Sequence, residues 1–162
     1  MKKTNTRFIS HTAVIAAIYV VLTILANLFG LSSHAIQVRF SEALTILPIF
    51  TPAAIPGLFV GCILANLLTG ALIPDIIFGS IATLIGAYLT YLLRKKPILA
   101  TLPPILSNTL IIPFILRYVY AFDGSLPYFM LTVGVGEIIS CGVLGTILAK
   151  YLKKHSNIFK NI

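Results

Sequence analysis

Few charged residues interrupt this apolar sequence, and those few are the candidates for chemistry. Glu42 and Glu137 are carboxylates set within long apolar runs. An Asp, Lys or Arg at the centre of a membrane helix costs roughly 2.5–3.5 kcal/mol, so a charged group at this depth usually faces a ligand or a partner inside a bundle. A buried carboxylate accepts about four hydrogen bonds and matches a bidentate donor edge or a cation. We therefore predict that Glu42 and Glu137 bind substrate.

Four further polar residues are candidates for the same site. Arg39 precedes Glu42 by three residues, so the two would share a helix face, and a simple ion pair is the competing interpretation. Asn66 and Asn108 could bond across helices or read a ligand. Asp75 follows a proline at a predicted helix start, where it could instead cap the helix.

Motifs for catalysis are missing from the sequence. It contains no G-x-x-x-x-G-K-[ST], H-E-x-x-H or G-x-S-x-G pattern and no Cys/His cluster, and its three histidines are far apart. Cys62 and Cys141 fall in apolar runs, which favours two reduced packing residues over a disulfide or metal pair. We expect no catalytic residue, metal or cofactor, and binding or transport rather than an enzyme.

The composition indicates an integral membrane protein. Of 162 residues, 58% are hydrophobic and only 10% are charged, against about 25% charged in soluble domains. We expect one domain over residues 1–162, an all-α bundle of six transmembrane helices. The predicted segments are 8–29, 40–51, 53–69, 75–93, 98–118 and 127–152. The second is short and interrupted by prolines, so protein must shield its backbone from lipid.

Basic residues cluster where the predicted helices end, which indicates membrane topology rather than nucleic-acid binding. With the N-terminus in the cytoplasm, ten of the 12 Lys and Arg residues fall on the cytoplasmic side. This split predicts six crossings with both termini inside. All four acidic residues, with Arg39 and Arg117, then lie in the outer half or near mid-membrane. A polar cavity open to the exterior accounts for this placement. A predicted outer loop lies near Arg117, Tyr118, Tyr120 and Asp123. We expect these residues to form part of an aromatic belt or, alternatively, a lid over the cavity.

Small residues recur at the spacing of close helix packing. Gly57 and Gly61 form a G-x-x-x-G, and two further stripes comprise Gly79, Thr83 and Ala87, and Cys141, Gly145 and Ala149. We interpret these three as packing. Ala13 and Ala17 repeat the pattern on the first helix, where they could contact this bundle or another subunit.

Three stretches of the chain resemble the QueT family. They are QVRFSEAL at residues 37–44, PAAIPGLFVGCILAN at 52–66 and DIIFGSIATL at 75–84. Proteins of this family are substrate-binding S components of energy-coupling-factor transporters, linked to uptake of queuosine precursors. The resemblance implies a cell-membrane protein that captures a 7-deazaguanine, in the 7-aminomethyl or 7-cyano form. It would dock on a transmembrane coupling subunit that carries two ATPase subunits. Ala13 and Ala17 match the A-x-x-x-A with which S components contact the coupling subunit.

The implied ligand fits the candidate residues. A deazaguanine offers a ring N–H beside an exocyclic amine, which a carboxylate accepts in parallel, so Glu137 or Glu42 would take this edge. Asn108 or Asn66 would read the carbonyl side, and an aromatic residue near the outer loops would stack on the ring.

Three other functions compete with this one. They are an S component for another vitamin-like compound, a stand-alone carrier in which Glu42 or Glu137 couples protons, and a membrane scaffold that binds no small molecule. The six segments show no obvious inverted repeat, which argues against the stand-alone carrier.

Overall fold

Helices account for the secondary structure of the described chain. The computed structural model describes residues 2–31 and 38–155, with side chains from residue 6 onward. These residues form six helices and no strand, which confirms the all-α prediction. The helices are α1 Lys2–Leu28, α2 Phe40–Ile49, α3 Ala54–Leu68, α4 Ile73–Leu92, α5 Leu99–Tyr118 and α6 Leu126–Lys154.

Four of the six helices are long and apolar enough to cross a membrane, namely α1, α4, α5 and α6. Large apolar side chains such as Val14, Leu110 and Leu131 are more than half exposed on the outside of the bundle. In water such a surface would be costly, whereas hydrocarbon accommodates it. The chain is therefore a multi-pass membrane protein.

Most helix boundaries lie close to the predicted ones, with α1 the clearest exception. It begins at Lys2, whereas the apolar run begins at Phe8. Hydropathy reports the depth of a residue in the membrane, and a helix continues into the polar interface as long as its backbone bonds are made. Gln37, at the start of the first QueT-like stretch, lies outside the described residues.

The second helix is short and irregular, as its prolines predict. It is a 3₁₀ helix that contains Pro48, and seven of its ten residues, including Glu42, are buried. It contacts α1, α4 and α6. Protein thus surrounds this tightly wound segment, which carries Glu42 into the middle of the bundle.

A second irregularity lies in α6. The helix is α-helical from Leu126 to Glu137, π-helical over Ile138–Leu144 and α-helical again from Gly145. Segments of π-helix are uncommon and are often found at functional sites. Here the change of winding follows directly after Glu137.

The predicted glycine packing is present between α1 and α3. A Cβ on Gly61 would lie 2.9 Å from Tyr19 Cβ, and one on Gly57 would lie 2.9 Å from the Thr12 carbonyl oxygen. Ala16 is the buried alanine of this contact, whereas Ala13 and Ala17 are exposed on α1. Contact within the described bundle therefore does not explain the A-x-x-x-A spacing.

Candidate functional site

A polar cavity lies at the end of the bundle where α1, α3 and α5 end and α4 begins. Its volume is about 320 Å³, and it is partly open. Arg39, Asn66 and Asp75 line it, three of the six predicted binding residues. Its wall also includes Thr23, Asn27, Thr69, Ile112, Tyr120 and Phe122.

A much smaller pocket lies deeper in the bundle. Its volume is about 10 Å³, roughly the space of one water molecule. Glu42, Asn108 and Glu137 line it, and Arg39 and Ile112 line both this pocket and the cavity. The structure therefore brings all six predicted residues together, with Arg39 between the two groups.

Glu42 is buried and only partly satisfied. It is 2% exposed, and the Tyr19 hydroxyl donates to its Oε1 at 2.5 Å. Its Oε2 makes no well-formed hydrogen bond with the described residues, although the Asn108 amide lies close enough to interact with the Glu42 carboxyl group. Arg39 interacts electrostatically with both Glu42 and Asp75. An ion pair with Arg39 therefore does not fully explain why Glu42 is buried here, because one carboxylate oxygen can still accept a hydrogen bond.

Glu137 has donors for both of its oxygens. Asn108 Nδ2 donates to Oε1 at 3.0 Å, and the Cys141 thiol donates to Oε2 at 3.1 Å. Asn108 therefore bonds across helices as well as lining the pocket. Cys141 was predicted as a packing residue only, yet it is a polar neighbour of the predicted site.

The two carboxylates and the thiol form one cluster. Ligand atoms of Glu42, Glu137 and Cys141 all lie within 4.8 Å of one another. Two carboxylates this close repel each other unless a proton, a cation or a donor-rich group lies between them. The cluster is therefore suited to a ligand that brings hydrogen-bond donors or positive charge.

Asp75 faces the cavity and does not occupy the N-cap position. Leu72 is the N-cap residue of α4, without a side-chain cap bond, and Asp75 lies within the first turn. The Tyr120 hydroxyl donates to Asp75 Oδ2 at 2.9 Å. Burial raises the pKa of Tyr120, whose hydroxyl is protonated at neutral pH even without this shift. A first-turn carboxylate also interacts favourably with the helix dipole.

The loop after α5 forms part of the cavity wall. Tyr120 and Phe122 stack with ring centroids 5.7 Å apart, and Arg117 Nη1 donates to the Phe122 carbonyl oxygen at 3.1 Å. Tyr118 is 70% exposed and packs on Phe114 outside the cavity. Within this group, Tyr120 therefore lines the cavity and Tyr118 does not.

Sequence reasoning missed the contribution of α1. Tyr19, Thr23 and Asn27 are spaced four residues apart on one face of this helix, and Thr23 Oγ1 donates to Ser41 Oγ at 2.8 Å. A polar stripe at helical spacing in an apolar helix is a signal that could have identified them.

The fold and the site together define a membrane-embedded helical bundle with a polar cavity. The family model of the QueT transporter matches residues 9–154. The chain belongs to the QueT transporter family.

One similar protein supports this membership. It is the "Queuosine precursor transporter QueT" of Lactococcus lactis subsp. cremoris (strain MG1363), 37% identical over 96 residues. The match covers 59% of this chain and 56% of that relative, little more than half its length. No solved structure matches the chain.

Tyr19→Phe tests whether the phenol supports the buried carboxylate. The change removes the donor to Glu42 Oε1 and should destabilise the protein by about 1–3 kcal/mol, because a buried acceptor loses its partner. Thermal unfolding in detergent measures this. Tyr88→Phe, on a tyrosine that is 53% exposed, is the matched control and should leave the melting temperature unchanged. Equal melting temperatures of the two variants would contradict a stabilising hydrogen bond from Tyr19 to Glu42.

Proposed function

We propose that this chain is the substrate-capture subunit of an ATP-driven energy-coupling-factor importer, and that its ligand is a queuosine precursor of the 7-deazaguanine type. Family membership and the name of the Lactococcus relative support the substrate class. The observation that carries the proposal is the polar cavity beside two buried carboxylates, of which Glu42 Oε2 has no partner among the described residues.

The size of the cavity is compatible with a bicyclic base. Its volume of about 320 Å³ is at the lower end of the range of roughly 300–1,000 Å³ that ligand pockets span. A bicyclic base fits this space.

The polar groups suggest how a 7-deazaguanine would lie. The base occupies the cavity, where Tyr120 and Phe122 provide aromatic surface for stacking and Asn66 and Asp75 provide polar contacts. Its donor edge, or its aminomethyl group, points past Arg39 toward Glu42 and Glu137. Since the deep pocket holds only about 10 Å³, the ligand reaches these acids by displacing side chains such as Asn108.

Charge distribution favours a cavity open to the outside. The connection after α4 carries Arg94, Lys95 and Lys96, and the last turns of α6 carry Lys150, Lys153 and Lys154. These groups lie at the end of the bundle opposite the cavity. By the positive-inside rule that end is cytoplasmic. We therefore place both termini in the cytoplasm and the protein in the cell membrane, with six crossings.

The exposed alanines of α1 favour docking of a coupling subunit. Ala13 and Ala17 are exposed on this helix, beside the exposed Val14 and Ile18. Small residues at four-residue spacing let a partner helix approach closely in lipid. The transmembrane coupling subunit binds here, and the two ATPase subunits that it carries provide the energy for release of substrate inside.

Glu137→Gln should weaken binding of 7-aminomethyl-7-deazaguanine about tenfold or more, because one carboxyl oxygen that can accept a hydrogen bond becomes an amide NH₂ that cannot. Isothermal titration calorimetry on the purified chain in detergent measures the affinity. Asp123→Asn is the matched control, since this carboxylate is exposed. Unchanged affinity of Glu137→Gln would remove Glu137 from the site.

Ala13→Leu combined with Ala17→Leu should abolish uptake by the complete transporter and leave the affinity of the isolated chain unchanged. The added bulk blocks close approach on α1 without reaching the cavity. Val143→Leu, on another exposed surface, is the control and should transport normally. Uptake that persists in the double variant would contradict the coupling proposal. So would wild-type uptake that stops when the proton gradient is dissipated but continues without the ATPase subunits.

A further inference from the structure

A second large pocket lies at the opposite end of the bundle from the polar cavity. Its volume is about 450 Å³, larger than the cavity proposed for substrate. It is formed by the end of α2, the connection between α4 and α5, and the last turns of α6. No residue lines both pockets, so the substrate does not account for it.

Four cationic side chains surround this pocket. Arg94 and Lys95 come from the connection, and Lys150 and Lys153 come from α6. Lys150 and Lys153 are three residues apart and share one face of the helix. The Arg94 guanidinium lies 4.3 Å from the centre of the Tyr91 ring, which holds this cation in place.

None of the four acidic residues of the chain lines this pocket. Glu42 and Glu137 line the deep pocket, Asp75 lines the polar cavity, and Asp123 lies in the loop after α5. The positive potential at this pocket is thus not offset by a carboxylate side chain of the protein. An anion that entered it would meet cations from two separate chain segments.

The floor of the same pocket is apolar. Ile49 and Phe50 at the end of α2 and the buried Ala149 of α6 contribute to it, and Ile98, 80% exposed, stands at its side. A small soluble anion would gain nothing from contact with these apolar side chains. A molecule with a charged headgroup and a hydrocarbon chain would contact both the cations and the apolar surface.

We propose that this basic pocket binds one anionic phospholipid. The lipid phosphate lies among Arg94, Lys95, Lys150 and Lys153, and the beginning of an acyl chain covers Phe50 and Ile98. Basic pockets between membrane helices bind acidic headgroups in this manner. Because the pocket joins α2, α4, α5 and α6, the bound lipid holds together the cytoplasmic ends of helices that bear the substrate site at their other ends.

The test compares two double variants of the full chain, each of which removes two lysine charges. Lys150→Gln with Lys153→Gln alters the pocket, whereas Lys96→Gln with Lys154→Gln alters neighbouring lysines that do not line it. Each protein is purified in detergent and titrated with phosphatidylglycerol, with phosphatidylcholine of the same acyl chains, or with glycerol phosphate. Native mass spectrometry counts the bound lipids, and thermal unfolding measures the stabilisation.

We expect one phosphatidylglycerol to bind the wild type and the control variant and to raise their melting temperatures. The pocket variant should bind it about tenfold more weakly or worse, because two cations are missing. Equal binding of phosphatidylcholine would overturn the proposal, as would stabilisation by glycerol phosphate alone, which would indicate a site for free phosphate. Equal lipid binding by the two double variants would also overturn it.

Discussion

The structure depends on the burial of two carboxylates next to each other in a membrane protein. Glu42 and Glu137 are 2% and 7% exposed, and both lie within one cluster. Burial of a carboxylate is unfavourable unless hydrogen bonds replace its hydration. Donors therefore converge on the pair from three helices, Tyr19 from α1, Asn108 from α5 and Cys141 from α6. Glu42 Oε2 has no hydrogen-bond partner among the described residues, which leaves it able to accept from a ligand.

Two helical segments that are not regular α-helix position these carboxylates. The 3₁₀ winding of α2 and its Pro48 keep the segment short and buried, so that Glu42 sits within the bundle rather than at its surface. The π-helical Ile138–Leu144 follows Glu137 and shifts the register of α6 at the level of Ser140 and Cys141. Each irregular stretch has less favourable backbone hydrogen-bond geometry than an α-helix, and each is packed against other helices. Irregular backbone and buried charge thus occur together because both need a protein environment.

Much of the fold could be read from the sequence because hydropathy directly reports contact with lipid. The predicted ranges locate all six helices, and the prolines indicate the irregular second one. The six candidate residues could also be chosen, since a polar residue in an apolar run is rare enough to stand out. Their division between the polar cavity and the deep pocket could not be predicted. That division depends on how each helix is rotated, and rotation is set by contacts such as Gly61 against Tyr19. Tyr19 itself was missed because a tyrosine in a membrane helix is not unusual by composition.

The central claim is that the cavity and its buried acids bind a polar heterocycle. The most direct measurement is to purify the chain from cells under mild conditions and to identify by mass spectrometry the small molecule that remains bound. The account predicts a 7-deazaguanine in near-equimolar amount, with much less retained by a Glu42→Gln variant. A well-folded chain that carries no such compound, and that binds none when 7-deazaguanines are added back, would contradict it.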